Sequence, residues 1–135
     1  MTCPCGGLPA GASFAECCQP AMDLTSWPTS AEALMRSRYT AFVRRDADHL
    51  FRTWHPRTRP AEVDASRGTV WLGLEILQVI GGTADDEVGE VHFRARFRDD
   101  NGEQVIEERS RFRKRAGRWF YLDAATDADG GMMGP

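Results

Sequence analysis

Residues 88–123 read VGEVHFRARFRDDNGEQVIEERSRFRKRAGRWFYLD, and this stretch decides the fold because it specifies three antiparallel strands. Its first part alternates apolar Val91, Phe93, Ala95 and Phe97 with polar side chains. A period of two is typical of a strand with one buried face and one face in water. The stretch therefore predicts the sheet and also the side of it that faces the core.

Two short turns set the expected pairing of these strands. Asn101-Gly102 favours a two-residue turn, since both residues tolerate the positive φ angles that such a turn needs. This turn would place Asp100 opposite Glu103, and a second turn at Ala116-Gly117 would add the third strand. Trp119 then lies on the inner face. The expected inward pairs are Phe97–Ile106, Ala95–Glu108, Phe93–Ser110, Val91–Phe112, Phe112–Tyr121 and Ser110–Asp123.

The pairing predicts three polar residues, Glu108, Ser110 and Asp123, on an otherwise apolar inner face. Carboxylates on neighbouring strands, at a diagonal of roughly 7 to 8 Å, suit a small ligand and acid–base chemistry. The alternative is that the polar groups satisfy one another. In that case Glu108 pairs with Arg38 from a covering helix, and Asp123 bonds Ser110 or a loop backbone.

The opposite face of the sheet carries arginines from two strands. In the expected register Arg94 faces Arg109, which costs energy unless acidic groups or a partner answer the charge. The face is either solvated or an interface, with a protein partner or with a second copy in a homodimer. Nucleic acid is disfavoured because the pI is about 5.6. The arginines concerned are Arg94, Arg96, Arg98, Arg109, Arg111 and Arg113.

Length and composition fit one compact domain with a small appendage. The chain has 135 residues, of which 41% are hydrophobic and 27% are charged, and its net charge is −3. No run approaches the roughly 18 apolar residues of a membrane span. The first residues lack the basic start and apolar run of a signal peptide. We therefore expect a cytoplasmic protein with no membrane partner.

Four cysteines, Cys3, Cys5, Cys17 and Cys18, lie within the first 18 residues. In a reducing compartment this clustering favours a metal site over disulfides. Four sulfurs suit tetrahedral zinc and leave no open position for a substrate, so the expected cofactor is a structural zinc ion. Free or oxidisable thiols are the alternative. A segment this small has almost no core, so metal would supply most of its folding free energy.

Two helices are predicted ahead of the sheet. Thr29 with Glu32 reads as a capping box that starts the first, and its inward stripe brings Arg38 close to the core. There Arg38 either snorkels or pairs with a carboxylate, or it binds an anion. Asp46 can cap the second helix, Ala47–Trp54.

The second helix should end at His55, because Pro56 disfavours helical geometry in the residue before it. Trp54 and His55 thus fall where a helix stops, a frequent position for site residues. A lone histidine is more often a surface or capping group. Both residues are ligand-site candidates.

The remaining segments complete the predicted organisation. Gln19–Pro28 reads as a linker and Trp71–Ile80 as the first long strand. We expect residues 1–24 to form a small cysteine-rich metal-binding unit, residues 27–126 the α+β domain, and residues 127–135 a disordered tail with nothing to bury.

The cysteine segment and several stretches after it resemble known protein families. Cys3-Pro4-Cys5-Gly6, Phe14 and Cys17-Cys18 resemble the SEC-C motif, a zinc knuckle, although the eleven residues between Cys5 and Cys17 exceed its usual loop. Residues 31–42 (AEALMRSRYTAF), 53–56 (TWHP), 108–112 (ERSRF) and 119–123 (WFYLD) resemble the YchJ family of small uncharacterised bacterial proteins. The likeness covers nearly the whole chain. It implies a knuckle followed by a cone-shaped α+β domain, with helices on a curved antiparallel sheet, similar to nuclear transport factor 2.

Two functions are compatible with these features. The first is a non-enzymatic adaptor or protein-interaction protein that presents a zinc knuckle on the cone, with an unidentified protein partner. The second is a small-molecule-binding protein or acid–base enzyme. The ligand candidates inside the cone are Arg38, Trp54, His55, Glu108, Ser110 and Asp123.

Overall fold

Four antiparallel strands form one curved sheet in the order β1-β2-β3-β4, and helices pack against its inner face. The computed structural model describes residues 1–63 and 69–124. None of the helices in those ranges is long and apolar enough to cross a membrane. The elements are α1 Gln19–Met22, α2 Ala31–Arg44, α3 Ala47–Arg52, β1 Val70–Gly81, β2 Val88–Asp99, β3 Gly102–Arg115 and β4 Arg118–Ala124. The predicted α+β class is confirmed.

The starts of α2 and α3 are capped by side chains. Ser30, and not the expected Thr29, caps α2 by accepting a hydrogen bond from the amide of Ala33 over 3.0 Å. Glu32 forms no capping box, because its carboxylate pairs with Arg36 one turn on, at 2.9 Å. Asp46 caps α3 as predicted, accepting from the amide of His49 over 3.1 Å. The α3 helix ends at Arg52, two residues earlier than expected.

The β2–β3 hairpin has the predicted faces but a different register. Asp99 pairs with Gly102, so Phe97 lies opposite Gln104, Ala95 opposite Ile106, Phe93 opposite Glu108 and Val91 opposite Ser110. The expected pairs were wrong by two residues. The positive φ falls on Gly102, at +99°, and not on Asn101. The Asp99 carboxylate stabilises this turn by accepting from the amide of Asn101 over 2.8 Å.

The β3–β4 hairpin follows the prediction up to a bulge. Phe112 pairs with Tyr121 across a turn in which Ala116 and Gly117 both have positive φ. Arg111 then pairs with Asp123, which leaves Leu122 as an extra residue in β4. Because side chains alternate along a strand, the bulge turns Asp123 outward and lets Leu122 be buried. The predicted Ser110–Asp123 pair was therefore wrong.

The outer face is a network of paired charges. The true register sets Arg94 opposite Glu107 and Arg109 opposite His92, so the expected repulsion between Arg94 and Arg109 is absent. Arg94 lies 3.2 Å from Glu107, and Arg109 lies 3.6 Å from Glu90. A shift of two residues thus converts a like-charged pair into ion pairs.

Three further predictions concern the linker, the first strand and the tail. The linker contains a short helix, α1, with Pro20 in its first turn, where a missing amide hydrogen does no harm. The predicted first strand is confirmed and runs one residue further at each end. The tail at residues 127–135 lies outside the described residues, as does the end of the predicted domain at residue 126.

The start of α2 is placed by close contact with the β1–β2 hairpin. The amide of Ala31 donates to the carbonyl of Gly82 over 2.9 Å. A side chain on Gly82 would come within 2.6 Å of the Cβ of Ala31, and one on Gly89 would meet the Gly82 backbone at 2.5 Å. The two glycines let the helix reach the sheet, and α2 in turn carries residues of both candidate sites.

Candidate functional site

Four cysteine sulfurs gather at the N-terminal end of the protein. The Sγ atoms of Cys3, Cys5, Cys17 and Cys18 all lie within 4.8 Å of one another. Cys5 is 3.6 Å from Cys17 and 3.8 Å from Cys18, and Cys17 is 3.8 Å from Cys18. Sulfurs bound at about 2.3 Å around a tetrahedral ion lie about 3.8 Å apart. The spacing therefore fits a bound metal ion, and it is far longer than the roughly 2.05 Å of a disulfide bond.

The long loop between Cys5 and Cys17 folds back beside the cluster. The amide of Cys3 donates to the carbonyl of Ala12 over 2.8 Å, which closes the loop on the first cysteine. The amide of Gly7 donates to the sulfur of Cys5 over 3.3 Å. A side chain on Gly7 would meet the Ala12 amide nitrogen at 2.4 Å. Glycine is required there, and the extra loop length does not displace any of the four sulfurs.

Burial and hydrogen bonds favour charge on one sulfur. Cys3, Cys5 and Cys18 are buried, whereas Cys17 is partly exposed. A hydrogen bond from the Cys18 thiol is the main reason that the pKa of Cys5 falls to about 5. The same bond and burial raise the pKa of Cys18. A thiolate is the form of cysteine that binds metal, so Cys5 is ready for ligation.

The cysteine cluster is docked on one side of α2. Arg36 donates from Nη1 to the carbonyl of Cys5 over 2.7 Å. Thr40 donates its hydroxyl to the sulfur of Cys18 over 3.3 Å. The guanidinium of Arg44 lies 4.4 Å from the centre of the Phe14 ring. These three helix residues follow one another at intervals of four, so they share one face.

A second polar cluster lies on the inner face of the sheet. Oε2 of Glu108 accepts hydrogen bonds from Ser110, at 2.5 Å, and from Tyr121, at 3.1 Å. Oε1 of Glu108 is buried and has no hydrogen-bond partner among the described residues. Glu108 is only 4% exposed, and its burial raises the pKa of the carboxyl, although the two hydrogen bonds act in the other direction. Glu108 and Ser110 therefore lie together on the inner face, as predicted.

Arg38 approaches this cluster from α2 but does not form the expected pair with Glu108. Its Nη1 donates to the carbonyl of Leu50, at 2.9 Å, and to the hydroxyl of Thr53, at 2.8 Å. Its guanidinium lies 4.6 Å from the ring centre of Tyr121. The ion pairs within residues 1–63 and 69–124 include none between Arg38 and Glu108. Tyr121 contacts Arg38 through its ring and Glu108 through its hydroxyl, so the predicted direct contact was wrong.

Burial lowers the pKa of Arg38 without removing its charge at neutral pH. The side chain is 1% exposed, and burial lowers its pKa to about 10. The guanidinium nevertheless remains protonated at neutral pH. A positive charge therefore sits inside the cone beside the aromatic rings of Trp54 and Tyr121, at 5.3 and 4.6 Å from their centres.

The other three candidates divide between inside and outside. Trp54 is buried, and its indole Nε1 has no hydrogen-bond partner in residues 1–63 and 69–124. His55 is half-buried beside Phe120, and its backbone amide donates to the carbonyl of Tyr121 over 2.7 Å. Asp123 lies on the outer face, where Arg111 binds both carboxylate oxygens at 2.6 Å. The structure therefore does not bring Asp123 together with Glu108.

Sequence reasoning missed a buried pair between the helices, Ser37 and His49. The Ser37 hydroxyl lies 2.9 Å from His49 Nε2, and it donates to the carbonyl of Leu34 over 2.8 Å. Arg52 can only donate to the other ring nitrogen, at 3.5 Å, so Nε2 carries the proton. Burial, with Arg38 and Arg52 nearby, lowers the pKa of His49 to about 3.

This tautomer decides what the pair can do. The imidazole donates to Ser37 and so does not act as a base toward its hydroxyl. The arrangement is a satisfied core contact and lacks the geometry of an activated nucleophile. In the sequence, Ser37 and His49 are polar residues on two different helices. Neither has a neighbouring pattern that predicts a contact between them.

Comparison with known proteins gives the same organisation. A family model described as the YchJ middle NTF2-like domain matches residues 30–124. A UPF0225 protein from Streptomyces coelicolor is 48% identical over 121 residues, covering 90% of this chain and 92% of the relative. A UPF0225 protein from Deinococcus radiodurans is 45% identical over 124 residues, covering 91% of this chain and 88% of that protein.

Two solved structures have the same fold. The solution structure of a SEC-C motif containing protein from Rhodopseudomonas palustris matches with a TM-score of 0.81 and 34% identity, covering 93% of this chain and 98% of that one. The crystal structure of a SEC-C motif containing protein from Psychrobacter arcticus matches with a TM-score of 0.75 and 27% identity, covering 98% and 84%. With a cysteine cluster ahead of an NTF2-like domain in both sequence and structure, the chain belongs to the YchJ family.

Proposed function

We propose that the protein binds one structural zinc ion through Cys3, Cys5, Cys17 and Cys18 and acts as a non-enzymatic interaction protein. The observation that carries the proposal is the gathering of four sulfurs at the spacing of a tetrahedral site. Zinc is the common ion for four thiolates, and a set closed by four protein ligands has no position for a substrate. The likeness to SEC-C motif containing proteins supports the same conclusion.

The bound ion would supply cross-linking and charge neutralisation and no reaction chemistry. Residues 1–18 contain no α-helix and one isolated bridge, between Thr2 and Ser13. Such a segment depends on metal for most of its folding free energy. The ligands must also stay reduced, which is consistent with the cytoplasmic location that we propose.

An interaction role is supported by the mixture of apolar and charged side chains on the outer face of the sheet. The outer sheet face carries exposed Ile80, Val88 and Val105 among its ion pairs, so a partner there would meet both apolar and charged groups. A protein partner, including a second copy of the chain, suits this mixture. Nucleic acid suits it less, because acidic side chains already pair several of the arginines.

Elemental analysis tests the metal assignment. Protein purified without added metal should contain about one zinc per chain, and a Cys5→Ser variant should contain much less. The exposed Thr25→Ser change is a matched control that removes no sulfur. A metal-free native protein, or four cysteines that are all alkylated without unfolding, would overturn the assignment.

A second candidate function is small-molecule binding or acid–base chemistry inside the cone. It is favoured by Oε1 of Glu108 and Nε1 of Trp54, two buried polar atoms that have no hydrogen-bond partner in the part of the chain that the structure describes. A ligand with one donor and one acceptor would satisfy both, and Arg38 and Ser110 would add charge and a hydroxyl. An NMR screen of small polar compounds, with Glu108→Gln as the comparison, tests this candidate. Binding that survives the substitution unchanged would contradict it.

A further inference from the structure

Thr40 holds the cysteine cluster from outside the knuckle. It belongs to α2, yet its hydroxyl donates to the sulfur of Cys18 over 3.3 Å and lies 3.8 Å from the sulfur of Cys3. All three side chains are buried, with Thr40 at 0% exposure. We propose that Thr40 and Arg36 are positioning residues of the metal centre, so that zinc affinity depends on the NTF2-like domain as well as on the four cysteines. This inference rests on the zinc binding proposed above.

The Thr40 hydroxyl offers what a metal-bound sulfur needs. A thiolate bound to a metal keeps excess negative charge, and a hydrogen-bond donor stabilises that charge while it fixes the orientation of the sulfur. Within the buried cluster, the amide of Gly7 serves Cys5 in this way, at 3.3 Å. Thr40 serves Cys18 at the same distance. One donor thus comes from the knuckle and the other from the helix.

Arg36 acts on the backbone of the cluster. Its Nη1 donates to the carbonyl of Cys5 over 2.7 Å, while its Nε is held by Glu32 at 2.9 Å. The carboxylate fixes the guanidinium, and the guanidinium fixes the peptide that carries the Cys5 ligand. Because the peptide also leads into Gly6, Arg36 stabilises the place where the chain turns back after the first two ligands.

Coupling between the helix and the metal has to work in both directions. If α2 orients two of the ligands, then metal bound to those ligands stabilises the docked position of α2 by the same free energy. The knuckle would then depend on the domain for its full zinc affinity, and the domain, which has a core of its own, would gain stability from the bound knuckle. An isolated knuckle peptide lacks Thr40 and Arg36, so its affinity for zinc would be lower than that of the full chain.

The test measures zinc affinity in the full-length protein by competition with a chromophoric chelator. Thr40→Val keeps the shape of the side chain and removes the hydroxyl, and we expect it to weaken zinc binding about 10- to 100-fold. Thr40→Ser restores the hydroxyl and should recover most of the affinity. Thr53→Val is the matched control, because Thr53 is also a buried threonine but donates to the carbonyl of His49.

Arg36→Met gives an independent measurement at a partly exposed position, should Thr40→Val fold poorly. It keeps the aliphatic stem and loses the bond to Cys5, so a clear weakening of zinc binding is expected. Unchanged affinity in Thr40→Val and Arg36→Met, or equal losses in Thr40→Val and Thr53→Val, would overturn the inference and leave zinc binding intact. A wild-type protein that binds no zinc would overturn the proposed function itself.

Discussion

Tyr121 donates its phenolic hydroxyl to Oε2 of Glu108 over 3.1 Å, so β4 holds the buried carboxylate of β3. Tyr121 also presents its ring to the guanidinium of Arg38, 4.6 Å from the ring centre. Tyr121 therefore contacts the buried carboxyl of Glu108 through its hydroxyl and the buried guanidinium of Arg38 through its ring. Tyr121 thus links Arg38 and Glu108, which form no ion pair with each other within the described residues.

Replacing Glu108 with Gln should remove a pH dependence of stability. Burial raises the pKa of this carboxyl above its ordinary 4.5, so the folded protein holds the proton where the unfolded chain has lost it. The wild-type free energy of unfolding should therefore fall as pH rises above 4.5, by about 1.4 kcal/mol for each unit of pKa difference. Urea unfolding of both proteins from about pH 4 to 7 measures this.

Glu107→Gln is the matched control for Glu108→Gln. Glu107 is the next residue in sequence but lies on the outer face, where His92 and Arg94 lower its pKa. Its contribution to stability should therefore grow as pH rises through its pKa, the opposite sign. The same sign at both positions would contradict the assignment of Glu108 to a buried site.

His49 should make the protein less stable in mild acid. Its pKa is lowered from 6.5 to about 3, so below 6.5 the unfolded chain takes up a proton that the folded protein refuses. The free energy of unfolding should fall by at most about 1.4 kcal/mol per pH unit over this range. His49→Gln should remove that slope. The free energy of unfolding is measured at several pH values for both proteins. The same dependence on pH in wild type and variant would refute the prediction.

Ser110→Ala and Asp123→Asn should differ in cost, although the two positions were expected to form a pair. Ser110 is buried and donates to Glu108, so its loss leaves a buried carboxylate short of a donor and should cost about 1 to 3 kcal/mol. Asp123 pairs with Arg111 at the surface, and its change should cost less than about 1 kcal/mol. Guanidinium unfolding compares the two, and equal costs would place Asp123 inside.

Removal of residues 1–24 should leave a domain that still unfolds cooperatively, because the sheet and α2 have a core of their own. It should be less stable by on the order of a few kcal/mol, since the truncation uncovers the face of α2 that packs against Cys3 and Cys18. Thermal unfolding followed by circular dichroism measures this. A truncated chain without a cooperative transition would show that the knuckle is part of one indivisible domain.

Periodicity predicts faces better than partners. The alternation around Phe93 identifies the inner face correctly, because a register shift of two residues returns every side chain to the same side. The partners depend on which residue of the turn takes the positive φ. Asn101-Gly102 allows two answers, and the hydrogen bonds from Asn101 and Gln104 to Asp99 decide between them.

The parts of the candidate site that could not be predicted from the sequence depend on a strand bulge and on contacts between helices. No pattern around Leu122 announces the bulge, yet it moves Asp123 from the inner face to the outer one. The pairing of Ser37 with His49 depends on how α2 packs against α3, which sequence spacing does not encode. The cysteine cluster could be predicted, because ligand type and confinement to a short segment suffice to bring the sulfurs together.

Four consecutive residues of α2 contact four different parts of the protein. Ser37 meets His49, Arg38 lies over Tyr121, Tyr39 packs its ring edge-on against Trp71, and Thr40 reaches the sulfur of Cys18. All four are at most 1% exposed, so this turn of the helix has no solvent-facing position that would tolerate substitution easily. One residue inserted here would rotate the rest of the helix by about 100° and misalign several of these contacts together. Mutational tolerance should therefore be lowest in a single helical turn that contains none of the cysteines.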